Sequence, residues 1–101
     1  MLAAYCAAKA GVTGFIRALA VELGEHGVTA NAVSPGSTDT AMLDASADLY
    51  GLRATASFAA QQPVGRLLEP EEIARVLVFL ADASSGGITG AVVRVDGGFS
   101  L

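Results

Sequence analysis

Two short apolar segments, with a long connection between them, limit how this chain can fold. Residues 28–34 are partly β-branched and end at Pro35-Gly36, and residues 91–95 end at Asp96-Gly97-Gly98. Both patterns are typical of buried strands that run into turns. Only three residues follow Gly98, which is too few for a returning strand. We therefore expect two parallel strands, joined through a helix as a right-handed βαβ unit of the α/β class.

The connection contains the strongest helix pattern of the sequence, which begins at Pro70. Proline favours the first helical position, and Glu71 and Glu72 complement the positive end of the helix dipole. Apolar residues then recur at helical spacing, at Ile73, Val76, Leu77 and Leu80. Residues 37–64 have helical propensity but no clear apolar stripe, which indicates a pair of short helices.

Another helix is predicted from Ala3 to about Gly24. Its apolar residues have the spacing of a helix with one buried face: Val12, Phe15, Ile16, Leu19, Ala20 and Leu23. Cys6, in its first turns, is expected to be a small buried side chain rather than a reactive thiol.

Composition narrows the classes of partner. The 101 residues are 52% hydrophobic, which is more apolar surface than one small core needs, so part of it is expected to meet another chain or further sequence. Ten acidic and six basic residues are scattered, which argues against nucleic acid as a partner. One Cys with one His argues against a metal site. Arg17, Glu22 and Arg75 interrupt the apolar stretches, so we expect no membrane span and a cytoplasmic protein.

Tyr5 and Lys9 stand four residues apart and so share one face of the first helix. In one interpretation Lys9 covers apolar surface with its alkyl chain and extends its ammonium into solvent over Tyr5. In the other, phenol and ammonium form an acid/base unit. Removing the proton of an ordinary tyrosine near pH 7 costs roughly 4 kcal/mol, whereas an exposed i, i+4 pair supplies only about 0.2–0.5 kcal/mol. The second interpretation therefore needs a partly desolvated site and a second positive charge.

Several motifs follow one another at a specific spacing along nearly the whole chain. They are Tyr5-Cys-Ala-Ala-Lys9 leading into Ala10-Gly-Val-Thr-Gly14, Thr29-Ala-Asn-Ala-Val-Ser-Pro-Gly36 with Thr40, Pro63-Val-Gly-Arg66, Pro70-Glu-Glu-Ile-Ala74, and Ile88-Thr-Gly90 with Val95-Asp-Gly-Gly98. In this order they resemble the C-terminal part of a short-chain dehydrogenase/reductase. The resemblance implies the C-terminal portion of a Rossmann-like doubly wound parallel sheet, with about two strands and their flanking helices.

The same resemblance implies an oxidoreductase that transfers a hydride between NAD or NADP and a secondary alcohol or ketone. Tyr5 would be the general acid/base at the substrate oxygen, and Lys9 would assist it and hydrogen-bond the nicotinamide ribose. Pro35 and Gly36 would turn the chain beneath the nicotinamide, where glycine allows a close backbone approach. Thr38 would contact the carboxamide through its backbone, since an aliphatic residue is commoner at that position.

Thr40 has two roles open to it. The resemblance implies that its hydroxyl reaches the carboxamide or a phosphate, whereas its position before Ala41 is also that of a helix N-cap. Pro35-Gly36 likewise is also an ordinary turn after a strand.

Residues 41–62 correspond to the family's variable substrate loop. Its larger apolar residues would either line the substrate site or pack among themselves: Met42, Leu43, Leu49, Tyr50 and Phe58. Residues 37–43 and 49–52 also resemble the branch of the family that is coupled to the redox peptide mycofactocin.

Parts of the family pattern are missing from these 101 residues. The sequence has no Gly-rich turn after a strand to hold the pyrophosphate of a dinucleotide, and no serine matches the family's catalytic serine. We therefore expect residues 1–101 to be a C-terminal piece of the domain that is inactive alone. Its expected partners are a missing N-terminal half or further copies of itself, together with a small-molecule alcohol or ketone. The alternative is a non-enzymatic remnant or interaction module that associates with itself or with a full-length relative.

Overall fold

A computed structural model describes residues 2–49 and 55–101, which form an α/β arrangement. The elements, in chain order, are α1 (Leu2–Gly24), β1 (Ala32–Pro35), α2 (Ala41–Leu49), α3 (Ala56–Ala59), α4 (Pro70–Ala81), a 3₁₀ turn (Ala83–Ser85) and β2 (Val92–Val95). The two long helices and the pair of short helices predicted from the sequence are confirmed, and α4 begins at Pro70 as expected.

The two strands pair with each other in a two-stranded sheet. The backbone N–H of Ala32 donates to the carbonyl of Ala91 (2.9 Å), and that of Gly36 donates to the carbonyl of Val95 (2.9 Å). The pairing therefore advances along both strands in the same direction, which confirms the parallel arrangement and the helical crossover between the strands.

β1 begins four residues later than the predicted segment 28–34, at Ala32. The residues before it bond to the turn that precedes β2, and side chains take part. The Asn31 amide donates to the Ile88 carbonyl (2.8 Å) and accepts from the Ala91 N–H (3.1 Å), and the Ala30 N–H donates to the Thr89 hydroxyl (3.1 Å). Because side chains supply these bonds, the segment is extended without being part of the strand ladder.

The chain groups into two compact units, of which the first comprises Met1–Ala32 and Val78–Val93. Its buried residues include Ala20 of α1 and Leu80 of α4, and the α carbon of Gly90 leaves room for the Ala20 methyl. Ile16, Leu19 and Leu23 are half-buried, whereas Val12 and Phe15 are 51% and 61% exposed. The predicted apolar face of α1 is thus covered in its C-terminal half only, because the packing elements of this unit reach only that half.

The second unit comprises Val33–Leu77 and Arg94–Leu101. Its buried residues are Ala47 of α2, Leu68 of the loop before α4, and Gln62. Leu77, which the spacing of α4 places on the buried stripe, is 52% exposed, while Ile73 and Val76 are half-buried.

α1 is also long and apolar enough to cross a membrane, by length and composition alone. Arg17 and Glu22 do not interrupt it sufficiently to fail that test, contrary to the sequence expectation. The observation is weak evidence for a membrane, because the core helix of a soluble protein passes the same test.

Candidate functional site

Tyr5 and Lys9 project from the first turns of α1, in the first unit of the chain. The helix places residues i and i+4 on one face, and the Lys9 Nζ atom lies 5.6 Å from the centre of the Tyr5 ring. Both side chains are exposed, Tyr5 to 61%. An exposed ammonium over an aromatic face contributes about 0.5–1 kcal/mol. The pair is therefore preformed, and its phenol hydroxyl is accessible from solvent.

Cys6, next to Tyr5, is exposed. The expectation of a buried small side chain is therefore wrong, because α1 is uncovered over its first half.

The second group of predicted site residues follows β1, in the second unit. Pro35 ends the strand, and the N–H of Gly36 donates to Val95 across the sheet. A Cβ atom at Gly36 would lie 2.2 Å from Oε1 of Gln62 and 2.7 Å from the Cα of Asp96. The protein's own atoms therefore require glycine here, independently of any ligand.

Thr38 sits in an isolated parallel bridge with Leu68. The bridge uses the Ser37 carbonyl, which accepts from the Leu68 N–H (3.0 Å), and the Asp39 N–H, which donates to the Leu68 carbonyl (2.9 Å). In such a bridge the N–H and carbonyl of Thr38 itself point away from Leu68. The Thr38 hydroxyl donates to the Gly36 carbonyl (3.0 Å), and the Thr38 carbonyl accepts from the Thr40 hydroxyl (3.4 Å).

Thr40 precedes α2 and acts as its N-cap. Its hydroxyl oxygen accepts from the N–H of Leu43 (3.3 Å), and its carbonyl accepts from the N–H groups of Leu43 and Asp44. The N-cap interpretation of Thr40 is therefore observed. The side chain is exposed, and the same hydroxyl donates a long bond to the Thr38 carbonyl (3.4 Å).

The apolar residues of the 41–62 segment divide into two sets. Met42 and Leu49, seven residues apart and so on one face of α2, are 79% and 72% exposed. Leu43 and Phe58 are half-buried. Tyr50 lies outside the described residues. The segment therefore presents an open apolar face on α2.

Gln62 is a buried polar residue that the sequence analysis does not predict as part of the site. Gln62 is the most deeply buried large side chain of the described residues, with 2% of its surface exposed. It follows another glutamine and precedes a proline, a context that carries no recognisable signal.

The loop before α4 holds a cluster of charges. The guanidinium of Arg66 donates to both carboxylate oxygens of Glu72 (2.7 and 2.9 Å), and the N–H of Glu69 donates to the same carboxylate (2.8 Å). These bonds, the Arg66 bond foremost, lower the pKa of Glu72 to about 2. An open depression of about 440 Å³ is lined by Arg66, Glu69, Glu71, Glu72 and Arg75, none of which belongs to the predicted site. Among residues 2–49 and 55–101 no cluster of three or more potential metal-ligating side chains is found.

Comparison with known proteins identifies the family. Residues 1–100 match the family model described as enoyl-(acyl carrier protein) reductase. The (2S)-[(R)-hydroxy(phenyl)methyl]succinyl-CoA dehydrogenase subunit BbsD of Thauera aromatica is 47% identical over 97 residues, or 96% of this chain and 38% of the relative. The acetoacetyl-CoA reductase of Shinella zoogloeoides is 46% identical over 94 residues, or 93% of this chain and 38% of the relative.

Solved structures agree with the sequence relatives. A short-chain dehydrogenase family protein from Francisella tularensis superimposes with a TM-score of 0.84 at 27% identity, covering 96% of this chain and 43% of that one. The structure of gox2181 gives a TM-score of 0.82 at 42% identity, covering 97% of this chain and 37% of that one. The chain belongs to the short-chain dehydrogenase/reductase family of oxidoreductases, and its fold is part of a Rossmann-like domain. It spans about two fifths of the length of these relatives.

Proposed function

We propose that these residues serve an NAD(P)-dependent oxidoreductase that interconverts a secondary alcohol and a ketone. The observation that supports the proposal most directly is the placement of the Lys9 ammonium over the Tyr5 ring, with the phenol open to solvent, in a chain of an oxidoreductase family. A phenol next to a fixed positive charge is suited to moving a proton to or from a substrate oxygen.

In this proposal Tyr5 is the acid/base. For oxidation its deprotonated oxygen accepts the proton of the substrate hydroxyl, and for reduction its hydroxyl donates a proton to the carbonyl oxygen. Lys9 stabilises the deprotonated form and donates a hydrogen bond to the ribose of the cofactor. NAD or NADP would supply the hydride-transfer chemistry, with its nicotinamide ribose held by Lys9.

The segment Pro35–Thr40 would hold the nicotinamide. The Thr38 N–H, which points away from Leu68, can donate to a planar carboxamide, and the exposed Thr40 hydroxyl can exchange its long bond to the Thr38 carbonyl for one to the same group. Because Gly36 has no side chain, the segment can lie close to Gln62 and Asp96. Met42 and Leu49 would present an apolar face to the substrate, and the predicted role of Tyr50 joins them.

Energetics sets a condition for activity. Removing the phenol proton near pH 7 costs roughly 4 kcal/mol, and an exposed i, i+4 pair contributes only about 0.2–0.5 kcal/mol. Because Tyr5 is 61% exposed in this chain, solvent screens the attraction between a phenolate and the Lys9 ammonium, and the difference is not supplied. We therefore infer that the 101 residues alone do not turn over, and that activity requires further protein surface over the first half of α1.

A chimaera tests this function. Residues 1–101 would replace the matching 38% of the Shinella zoogloeoides acetoacetyl-CoA reductase, and reduction of acetoacetyl-CoA would be followed with a nicotinamide cofactor. We expect activity in the chimaera and a loss of about 100-fold or more in kcat for Tyr5→Phe and Lys9→Met. Arg17→Met, which removes an exposed cation elsewhere on α1, is the matched control.

Two results would contradict the proposal. One is a Tyr5→Phe chimaera as active as its parent. The other is cofactor-dependent alcohol oxidation by the purified 101-residue chain that Tyr5→Phe abolishes, which would refute the inference of inactivity.

A second candidate function is a non-enzymatic module that associates with itself or with a full-length relative. The exposed apolar side chains of α1 and α4, which include Phe15, Val78 and Phe79, favour it. A cytoplasmic location and homo-oligomerisation, expected from the sequence, and the link to mycofactocin remain predictions under either function.

A further inference from the structure

The primary amide of Gln62 is buried and bonded on every side to backbone. Its Oε1 accepts from the N–H of Ser37 (2.9 Å), and its Nε2 donates to the carbonyls of Ser37 (3.2 Å) and Arg66 (2.6 Å). Ser37 thus has both of its backbone polar groups paired by one side chain. The Gln62 amide thus makes the two hydrogen bonds that the backbone of a neighbouring strand would make to Ser37.

The three bonds also fix which way the amide points. The acceptor oxygen faces the N–H group, and the donor nitrogen faces two carbonyls. Turning the amide over would set two donors against the N–H and an acceptor against two acceptors. Gln62 can therefore occupy the site in a single orientation.

Gly36 leaves the space that the Gln62 amide fills, because a Cβ atom there would overlap Oε1. At Gly97 a Cβ atom would only touch Gln62, at 3.4 Å from its Cβ and 3.5 Å from its Cδ. The amide is consequently packed closely against the segment that follows β1. Movement of Gln62 would release the Ser37 peptide, which lies between Gly36 and Thr38.

We propose that Gln62 is a positioning residue for cofactor binding: its side-chain amide fixes the Ser37 carbonyl and thereby sets the direction of the Thr38 N–H in the same planar peptide. This inference rests on the proposed function, which assigns the nicotinamide to Pro35–Thr40. Gln62 itself does not contact the cofactor and acts through Ser37. Of the two adjacent glutamines only Gln62 has this role, since Gln61 is exposed.

The matched pair Gln62→Met and Gln61→Met tests the inference. Methionine keeps the length of the side chain and removes the amide in both variants. In the isotopically labelled 101-residue chain, we expect Gln62→Met to speed hydrogen exchange of the Ser37 and Leu68 amides at least tenfold. The amide of Gly90, which donates to Ala30 in the other unit (2.7 Å), should keep its rate. Unchanged exchange at Ser37 would overturn the inference, whatever the cofactor does.

Ligand binding is tested on the same samples with nicotinamide mononucleotide. We expect its addition to shift the amide resonances of residues 36–40, with a Kd at least fivefold higher in Gln62→Met and unchanged in Gln61→Met. Equal Kd values in the wild type and Gln62→Met would overturn the positioning role and leave the proposed function standing. No shifts in residues 36–40 of the wild type would instead refute the nicotinamide site itself.

Gln62→Glu covers the case in which Gln62→Met fails to fold. Glutamate can still accept from the Ser37 N–H but places a carboxylate oxygen against the carbonyls of Ser37 and Arg66. If Gln62 acts through Ser37, hydrogen exchange should stay slow at the Ser37 amide and become faster at the Leu68 amide. The affinity for nicotinamide mononucleotide should fall. Wild-type affinity in Gln62→Glu would overturn the inference.

Discussion

At the scale of single residues, Gly36 leaves no room for a Cβ atom. The sequence predicts that a strand ends at Pro35-Gly36, and β1 ends at Pro35. The reason expected for glycine was approach of a nicotinamide, whereas the atoms found against it belong to Gln62 and Asp96. Those residues are remote in sequence, so no local pattern could reveal them. Gln62 was missed for the same reason.

Gly36→Ala should destabilise the chain. The added Cβ would overlap backbone atoms of Asp96, which cannot rotate away, so we expect a loss of about 1–3 kcal/mol in the free energy of unfolding. The backbone of Gly36 is not left-handed, so the change tests space alone. Urea denaturation followed by circular dichroism measures it.

Gly14→Ala is the matched control for that measurement. Gly14 lies inside α1, and among the described residues no atom is found within 4 Å of a Cβ built there. The same substitution should therefore raise stability by about 0.5–1 kcal/mol. Equal effects of the two substitutions would contradict the close packing at Gly36.

At the scale of elements, the sequence predicts where a helix or strand begins when the residues that determine its start are close together in the chain. Pro70 and the acidic first turn place the start of α4 correctly. The start of β1 was misplaced because Asn31 and Thr89, far apart in sequence, replace ladder bonds with side-chain bonds. The Arg66–Glu72 ion pair at the start of α4 was likewise not predicted. In the sequence, Glu72 is explained by the helix dipole alone, and nothing pairs it with Arg66.

Glu72→Gln should lower stability in a pH-dependent way. Because the folded-state pKa of Glu72 is lowered to about 2, its ionised form stabilises the fold. That contribution is complete above the ordinary glutamate pKa of about 4.3 and is lost as the pH falls toward 2. We expect Glu72→Gln to melt at a lower temperature than the wild type at pH 7, with a difference that shrinks through this window and disappears near its lower end.

Glu71→Gln separates the ion pair from the helix dipole. Both glutamates lie in the first turn of α4, so both substitutions remove one favourable charge from the helix N-terminus. Only Glu72 is bonded to Arg66. A melting profile of Glu71→Gln that matches that of Glu72→Gln at every pH would assign the effect to the dipole and contradict the pair.

At the scale of the whole molecule, the chain exposes more apolar surface than a stable isolated domain presents. Val12, Phe15 and Val21 of α1 and Val78 and Phe79 of α4 are each more than half exposed. The one sheet found in residues 2–49 and 55–101 has two parallel strands, an arrangement that ordinarily requires cover on both faces. The high hydrophobic content of the sequence predicts that apolar surface meets a partner. It does not predict which part of α1 is exposed, because that depends on how far the elements packed against α1 extend along it.

The purified chain should therefore self-associate through the open half of α1. We expect sedimentation equilibrium to give a weight-average mass that rises above the monomer mass with concentration. The double variant Val12→Gln/Phe15→Gln should shift the distribution toward monomer, because it removes about 25 cal/mol of driving force for each Å² of apolar surface that it replaces. The double variant Ala3→Gln/Ala10→Gln, on the other side of the same helix, should associate as the wild type does. A folded wild-type chain that sediments as an ideal monomer at all concentrations would contradict self-association and, with it, the non-enzymatic function built on it.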